Sequence, residues 1–384
     1  MVLVDRHGLR ERILRFLDQF PVVLLLGPRQ CGKTTLAREI AQLQNATYFD
    51  LEDPQCPLQQ ESASLMLRDS TGLVVIDEFQ RMPRLFELLR VLADRRPLPA
   101  RFLILGSVSP DLVKGASETL AGRVAYVPMG GFDLQEAGAA QWRTLWNRGA
   151  FPDSFLARDD DQSFEWRQNF IQSFLERDMP QLDIRAPAAT LRRFWIMLAH
   201  LHGQTLNVSE LARSMDVTHL MVRRYLDTLT GAFMIRQLQP WYENVGKRLV
   251  KAPKIYLRDT GLLHALLGLR NAEQAMANPR LGFSWEGFAL EEVIRRLNAD
   301  RDAFFYKAHG GTEVDLFLLR EGKRLGFECK WQDAPRATKS MHTALEDLKL
   351  DKLFVVYPGN HRYPLETRIE ALPLPQIAPN TINE

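Results

Sequence analysis

Between Val22 and Leu43 the chain passes from a short apolar run, Val22-Val23-Leu24-Leu25-Leu26, through Gly27-Pro28-Arg29-Gln30-Cys31-Gly32-Lys33-Thr34-Thr35, into a helical pattern that begins at Leu36. A buried strand, a G-x-x-x-x-G-K-T loop and a helix in that order leave few folds open. The loop works only if strand and helix hold its backbone N–H groups around one anion. Gly27 and Gly32 let the backbone curl, and the helix adds its positive dipole end. Lys33 is placed to neutralise β- and γ-phosphates, and the Thr34 hydroxyl to bind Mg2+. Residues Gly27, Pro28, Arg29, Gln30, Cys31, Gly32, Lys33, Thr34 and Thr35 are therefore the expected cradle for ATP. A plain glycine-rich turn would not require both flanking elements.

A second run, Leu73-Val74-Val75-Ile76, ends in Asp77-Glu78. Continuous β-branched and apolar residues of this length suit a strand covered on both faces of a parallel sheet. Asp77 at its carboxyl end fits the Walker B role of holding Mg2+, and Glu78 the activation of a water.

Composition sets outer limits. A length of 384 residues allows two or three domains with ample core. The net charge of +2 does not by itself imply nucleic-acid binding, so any basic surface must be local. The three cysteines, Cys31, Cys56 and Cys329, form no C-x-x-C pair, which argues for a reducing compartment and against a zinc site. No apolar run approaches the ~18 residues that span a bilayer. Met1 to Phe20 is charged and amphipathic at helical spacing, unlike a secretory signal. The expectation is a cytoplasmic protein without a membrane partner.

Residues 1–150 read as the first domain. Strands are expected at 22–26, 47–51, 73–76, 102–105 and 124–129. Helices are expected at 34–43, 57–69, 85–95 and 109–116. Such alternation predicts an α/β fold with a parallel sheet, whose ligands sit at the carboxyl ends of the strands. Gly106-Ser107 follows one of these strands, and Leu120-Ala121-Gly122-Arg123 precedes another. These placements resemble the AAA+ superfamily of P-loop ATPases. The resemblance implies that Ser107 is a polar sensor and Arg123 an arginine finger acting on a neighbouring subunit, which would make the protein a homo-oligomer. An ordinary salt-bridged surface arginine remains open for Arg123. Gly27-Pro28-Arg29-Gln30, Asp77-Glu78-Phe79-Gln80-Arg81-Met82-Pro83 and Arg148-Gly149-Ala150-Phe151-Pro152 extend the likeness. Together they resemble a prokaryotic AAA family that joins this ATPase to a C-terminal domain long called one of unknown function.

The stretch 151–202 reads as a helical lid or linker, with Phe164, Trp166, Phe170, Phe174, Phe194 and Trp195 as packing residues. Within 203–260, Val208–Met215 and His219–Leu229 form two short helices around the turn Asp216-Val217, and Thr218 is placed to cap the second. Strands at 233–238 and 254–257 would then complete a winged helix-turn-helix. Arg223, Arg224, Lys247, Arg248 and Lys251 suit phosphate contacts. A protein-binding or purely structural role is equally compatible with that fold.

Residues 261–384 read as an α/β domain. A helix at 284–297, capped by Ser284, carries Glu286 and Glu291. A hairpin then sets Asp315 beside Glu328-Cys329-Lys330. Residues i and i+2 of a strand share a face, so two carboxylates and a lysine converge. The arrangement resembles the PD-(D/E)XK, restriction-endonuclease-like superfamily. That likeness implies a metal held by Glu286, Asp315 and Glu328, with Glu291 the alternative helix acid and Lys330 facing the scissile phosphate. A degenerate fold in which Lys330 merely pairs with Glu328 is the competing reading. The tail beyond Pro373 is expected to fray.

Taken together, the expectation is a Mg2+-dependent ATPase acting on a nucleic-acid partner. The alternatives are a nucleotide-gated regulatory module with little hydrolysis, and an ATP-dependent nuclease of repair or defence.

Overall fold

Five short apolar runs supply the first sheet of the computed structural model, which describes residues 4–59, 63–107, 118–182, 184–242, 249–378 and 381. They are β1 (Val22–Gly27), β2 (Thr47–Asp50), β3 (Gly72–Asp77), β4 (Ala100–Ser107) and β5 (Val124–Pro128). All pair in parallel, in the order β2-β3-β4-β1-β5. β1 is buried along its whole length, as a central parallel strand must be. Its Val22, Leu24 and Leu26 pack in one core with Val74 and Ile76 of β3, Phe102 and Ile104 of β4, and Leu85, Phe86 and Leu89 of the helix Leu85–Ala93. The helix Lys33–Leu43 buries Leu36, Ala37 and Ile40. The helix His7–Gln19 buries Ile13 and Leu17. Because β4 lies between β1 and β3, its end falls between the phosphate loop and Asp77, with Ser107 opposite Gly27. The helix expected at 109–116 lies outside the described residues.

The chain forms two compact units, Met1–Phe132 with Gly231–Phe233, and Asp133–Thr230 with Met234–Glu384. The boundary expected at 150 falls inside the second unit, and the reason is local packing. Gly149 has φ +83°, and a side chain there would begin 2.3 Å from Asp259 Oδ1. Asp259 accepts the N–H groups of Ala150 (2.7 Å) and Leu262 (2.8 Å). The buried Arg167 guanidinium donates to the carbonyls of Asn147 and Gly261. This turn is core, not linker. The aromatic residues that follow are core too: Phe151, Phe170, Phe174 and Trp195 contact one another in series at centroid distances of 4.6, 6.3 and 5.3 Å.

Helices Val208–Met215 and His219–Gly231 flank Asp216, which takes a left-handed conformation (φ 55°). Thr218 Oγ1 accepts the N–H of Met221 at 3.2 Å, the expected cap. The second unit's sheet contains, among the described residues, β6 (Gln204–Thr205), β7 (Ile235–Pro240), β8 (Lys254–Leu257), β9 (Ala303–Lys307), β10 (Glu313–Arg320), β11 (Lys323–Cys329), β12 (Lys352–Tyr357), β13 (Tyr363–Pro364) and β14 (Ile369–Pro373). Their order is β13-β14-β12-β11-β10-β9-β7-β8-β6. The β10–β11 hairpin turns at Glu321 (φ 51°) and Gly322 (φ 77°), two positive φ values that match the strand twist. β7 pairs antiparallel with β8 and parallel with β9, through Gln239–Phe304 and Pro240–Phe305. The expected wing hairpin is thus built into the sheet of the C-terminal region, and that sheet runs across the expected boundary at 260.

Two details differ from expectation. The acid-bearing helix spans Leu281–Arg296 and starts before Ser284, so Ser284 is no cap. Its hydroxyl instead accepts Trp146 Nε1–H (3.0 Å) and meets His264 Nε2 (2.8 Å). The described residues 374–378 are packed rather than frayed: Leu374 and Ile377 are buried, and Arg296 Nε donates to the Ile377 carbonyl at 2.9 Å.

Candidate functional site

The loop after β1 is shaped by close approach. A Cβ on Gly27 would lie 2.0 Å from the Met129 carbonyl oxygen, and Gly32 has φ +95°. Gln30 is also left-handed, at φ 61°. The helix Lys33–Leu43 has no side-chain cap, so its first N–H groups point into the loop. Cys31 is fully buried, with Sγ 3.6 Å from the Met129 carbonyl. The Lys33 ammonium is also buried and donates to the carbonyls of Gly27 (3.0 Å) and Pro28 (2.7 Å).

Asp77 ends β3 as an almost fully buried carboxylate. Its Oδ2 accepts the Thr34 hydroxyl at 2.8 Å and the Tyr48 hydroxyl at 2.7 Å, while Oδ1 accepts the Glu78 N–H at 2.8 Å. A hydroxyl and a carboxylate oxygen side by side are the hard oxygen donors Mg2+ takes, so these residues fit that ion. Glu78 follows in a left-handed conformation, φ 53°. Burial first, and then the neighbouring Asp77 charge, push its carboxyl above the usual range. Gln80 Nε2 donates to it through a short hydrogen bond. Arg123 forms a two-point pair with Asp94, at 2.6 Å (Nε–Oδ1) and 2.9 Å (Nη2–Oδ2). Ser107 stands at the end of β4 opposite Gly27; its side chain lies outside the described residues.

Sequence reasoning passed over two residues here. Tyr48, on β2, reaches Asp77 because β2 neighbours β3 in register, Asp50 opposite Asp77. Arg6 braces the loop from outside the motif, donating to the carbonyls of Cys31 (3.0 Å) and Gly131 (3.0 Å). A tyrosine on a strand and an arginine before a helix carry no motif, so only the fold reveals them.

In the second unit, Glu286, Asp315 and Glu328 do come together, but not around an open centre. Lys254 of β8 inserts its ammonium among them, at 2.9 Å from Glu286 Oε1, 2.6 Å from Glu313 Oε1 and 3.4 Å from Asp315 Oδ1. The Tyr256 hydroxyl donates to Glu286 Oε1 at 2.5 Å, and the Cys329 N–H to Asp315 Oδ2 at 2.9 Å. Burial alone would depress the Lys254 ammonium. The adjacent Tyr256 oxygen and the carboxylates of Glu286, Asp315 and Glu313 outweigh it and hold the pKa well above its ordinary value. Burial, reinforced by Asp315, raises the Glu286 carboxyl to about 7 and that of Glu328 to about 8. Lys330 Nζ lies 2.6 Å from Glu328 Oε1, the pairing that competed with its expected role. Glu291, the alternative helix acid, is elsewhere, held by Arg236 (2.5 Å) and Arg258 (3.2 Å). Among the described residues no set of His, Cys, Asp and Glu side chains is arranged to hold a metal. A cation is thus already seated between Glu286 and Asp315, and a second one, Lys330, on Glu328, an arrangement that does not fit a divalent ion.

Comparison with known proteins matches the first region to a family. Residues 19–138 fit the model of an AAA domain. Residues 139–273 and 281–377 fit two domains of unknown function, DUF8612 and DUF4143. Over 376 residues the chain is 48% identical to the uncharacterized protein Rv2008c of Mycobacterium tuberculosis, covering 98% of this chain and 85% of that one. The uncharacterized protein Mb2031c of Mycobacterium bovis matches with the same figures. The chain belongs to the family of these mycobacterial proteins. Its first unit contains an AAA-type P-loop ATP-binding domain, and the loop and Asp77 described above fall within the matched residues. Solved structures are more distant. The Walker-type ATPase PABY2304 of Pyrococcus abyssi is 15% identical with a TM-score of 0.49, over 69% of this chain and 96% of that one. The RuvB Holliday junction branch migration motor of Thermotoga maritima is 17% identical with a TM-score of 0.32, over 61% and 90%. Likenesses this remote carry no assignment. Among the described residues no helix is long and apolar enough to cross a membrane.

Proposed function

We propose that this family member is a Mg2+-dependent ATPase whose nucleotide cycle drives rearrangement on a nucleic-acid partner. The observation that carries the ATPase reading is the meeting of Lys33, Thr34 and Asp77 at the ends of β1 and β3. The loop N–H groups from Gly27 to Thr35 and the Lys33 ammonium bind the phosphates and neutralise them. Mg2+ held at Thr34 and Asp77 would supply further positive charge to the β- and γ-phosphates. Glu78 takes a proton from the attacking water as its oxygen bonds to the γ-phosphorus and ADP leaves. Ser107, between the two strand ends, orients that water. Arg123 serves a neighbouring subunit in a homo-oligomer once it exchanges Asp94 for phosphate.

The nucleic-acid reading treats the helix pair and the β7–β8 hairpin as a winged helix. It is supported by exposed Arg223 and Arg224 on the second helix and exposed Lys251. Lys247 and Arg248 lie outside the described residues. The hairpin's pairing with β9 leaves the helix, rather than the wing, as the main contact.

A second reading, a nucleotide-gated module with little turnover, is favoured by the Glu78–Gln80 and Arg123–Asp94 pairs, which occupy both groups. Steady-state ATPase measured with and without DNA separates the two. Turnover stimulated by DNA supports the first, and ATP binding without turnover supports the second. No binding at low salt to duplex, single-stranded or branched DNA, or to RNA, would move the partner to protein.

A further inference from the structure

The acid cluster of the second unit has the residues of a metal site but the wiring of an ion pair. Its carboxylate oxygens are largely taken. Glu286 Oε1 accepts from Lys254 and Tyr256, and Asp315 from Lys254 and the Cys329 backbone. Glu313 lies between Lys254 and Lys307, each 2.6 Å away. Glu328 Oε1 meets Lys330, while its Oε2 is buried without a partner. With the Lys254 ammonium at contact distance from Glu286, Glu313 and Asp315, the cluster is a poor seat for a divalent ion, which wants several oxygens and no cation beside them. Lys254 itself is 2% exposed. It stands on a strand that is buried at every position.

We propose that the Lys254 ammonium is a resident substitute for the divalent cation, so that the cluster binds no metal and the C-terminal region cleaves no phosphodiester. The cluster is instead a clamp. Lys254 and Tyr256 belong to the stretch 139–273, and Glu286, Glu313, Asp315 and Glu328 to the stretch 281–377. A buried ion pair tolerates loss of one partner badly, because the remaining charge has no solvent. The clamp therefore fixes the β7–β8 hairpin against the Leu281–Arg296 helix and the β10–β11 hairpin. This inference stands apart from the ATPase reading, since every residue in it lies in the second unit.

The test titrates the full chain, free of nucleotide, with Mn2+ alone, following bound ion by electron paramagnetic resonance, and incubates it with supercoiled plasmid. The wild type and Asp315→Asn should show the same Mn2+ binding and no Mn2+-dependent nicking. Lys254→Met should gain a Mn2+ site that Lys254→Met/Asp315→Asn loses. If Lys254→Met does not fold, Lys254→Met/Glu286→Gln removes one charge of each sign and serves in its place. A wild-type Mn2+ site or nicking activity that disappears in Asp315→Asn overturns the proposal. So does a folded Lys254→Met or, where that variant does not fold, a folded Lys254→Met/Glu286→Gln that gains no Mn2+.

Discussion

At Asp77, three hydrogen bonds converge on one buried carboxylate, from Thr34, Tyr48 and the Glu78 N–H. This packing makes the residue-scale predictions sharp. Lys33→Ala should abolish ATP binding in an equilibrium titration, because the loop loses the charge that faces the phosphates. Glu78→Gln should bind ATP normally yet hydrolyse it about 10²–10⁴-fold more slowly, as expected when only a general base is removed. The raised Glu78 carboxyl adds a pH signature. A base must be deprotonated, so the acid limb of the ATPase profile should lie above the ordinary carboxylate range and vanish in Glu78→Gln. Unchanged turnover in that variant would remove Glu78 from catalysis. Tyr48→Phe should raise the Mg2+ concentration needed for half-maximal turnover, since it deletes a bond worth ~1 kcal/mol that orients Asp77.

Among the elements, the glycine turns and the second helix of the pair are the informative ones. Gly27→Ala would place a methyl 2.0 Å from a backbone oxygen that cannot swing away. It should lower stability by about 1–3 kcal/mol in urea denaturation and weaken ATP binding with it. Gly149→Ala meets the Asp259 carboxylate at 2.3 Å and a φ of +83°, and should destabilise the chain while leaving ATP affinity intact. Neutralising Arg223 and Arg224 should weaken DNA or RNA binding and flatten log K against log salt by roughly one unit per lost phosphate contact. A slope that stays put would detach this helix from nucleic acid. Most helix and strand positions were legible beforehand because hydrophobic period reports which face is covered. Helix Val208–Met215 and strand β8 fall on their expected residues. The start of the acid-bearing helix was not legible: Ser284 looks like a cap in sequence, and only its contacts to Trp146 and His264 show that it is interior.

For the whole molecule, buried acids in the second unit set opposing pH limits. Burial would raise the Glu291 carboxyl, but Arg236 and Arg258 outweigh it and bring it to about 2. Its contribution is present above the usual carboxylate range and fades as pH falls towards about 2. Glu292 is the reverse: burial lifts it to about 7, against the pull of Arg295. Its proton favours folding at low pH, and that advantage is lost as pH rises through about 7. Stability should therefore peak near the ordinary carboxylate range and decline from there towards about 7. Glu292→Gln should flatten the alkaline side. Glu291→Gln should destabilise the chain near neutrality by about 1–3 kcal/mol, because Arg236 and Arg258 lose a buried charged partner and keep only Asp300. Urea midpoints across this pH range check both, and a wild-type profile flat between the ordinary carboxylate range and about 7 would count against the Glu292 assignment.

The strand, glycine loop and helix around residues 22–43, the strand that ends at Asp77, the parallel character of the first sheet and the two-helix turn were readable from the chain because each depends on residues near one another in sequence, where period and spacing carry the information. What required the tertiary structure depends on neighbours brought from afar. Tyr48 meets Asp77 only because β2 pairs with β3. The β7–β8 hairpin loses its freedom only because β9 pairs with it. Asp315, Glu328 and Glu286 read as a metal site until Lys254, 32 residues from Glu286 and 61 from Asp315, is seen to occupy it. A lysine in a short apolar strand gives no sign of its partner, because burial and charge pairing belong to the fold and not to the segment.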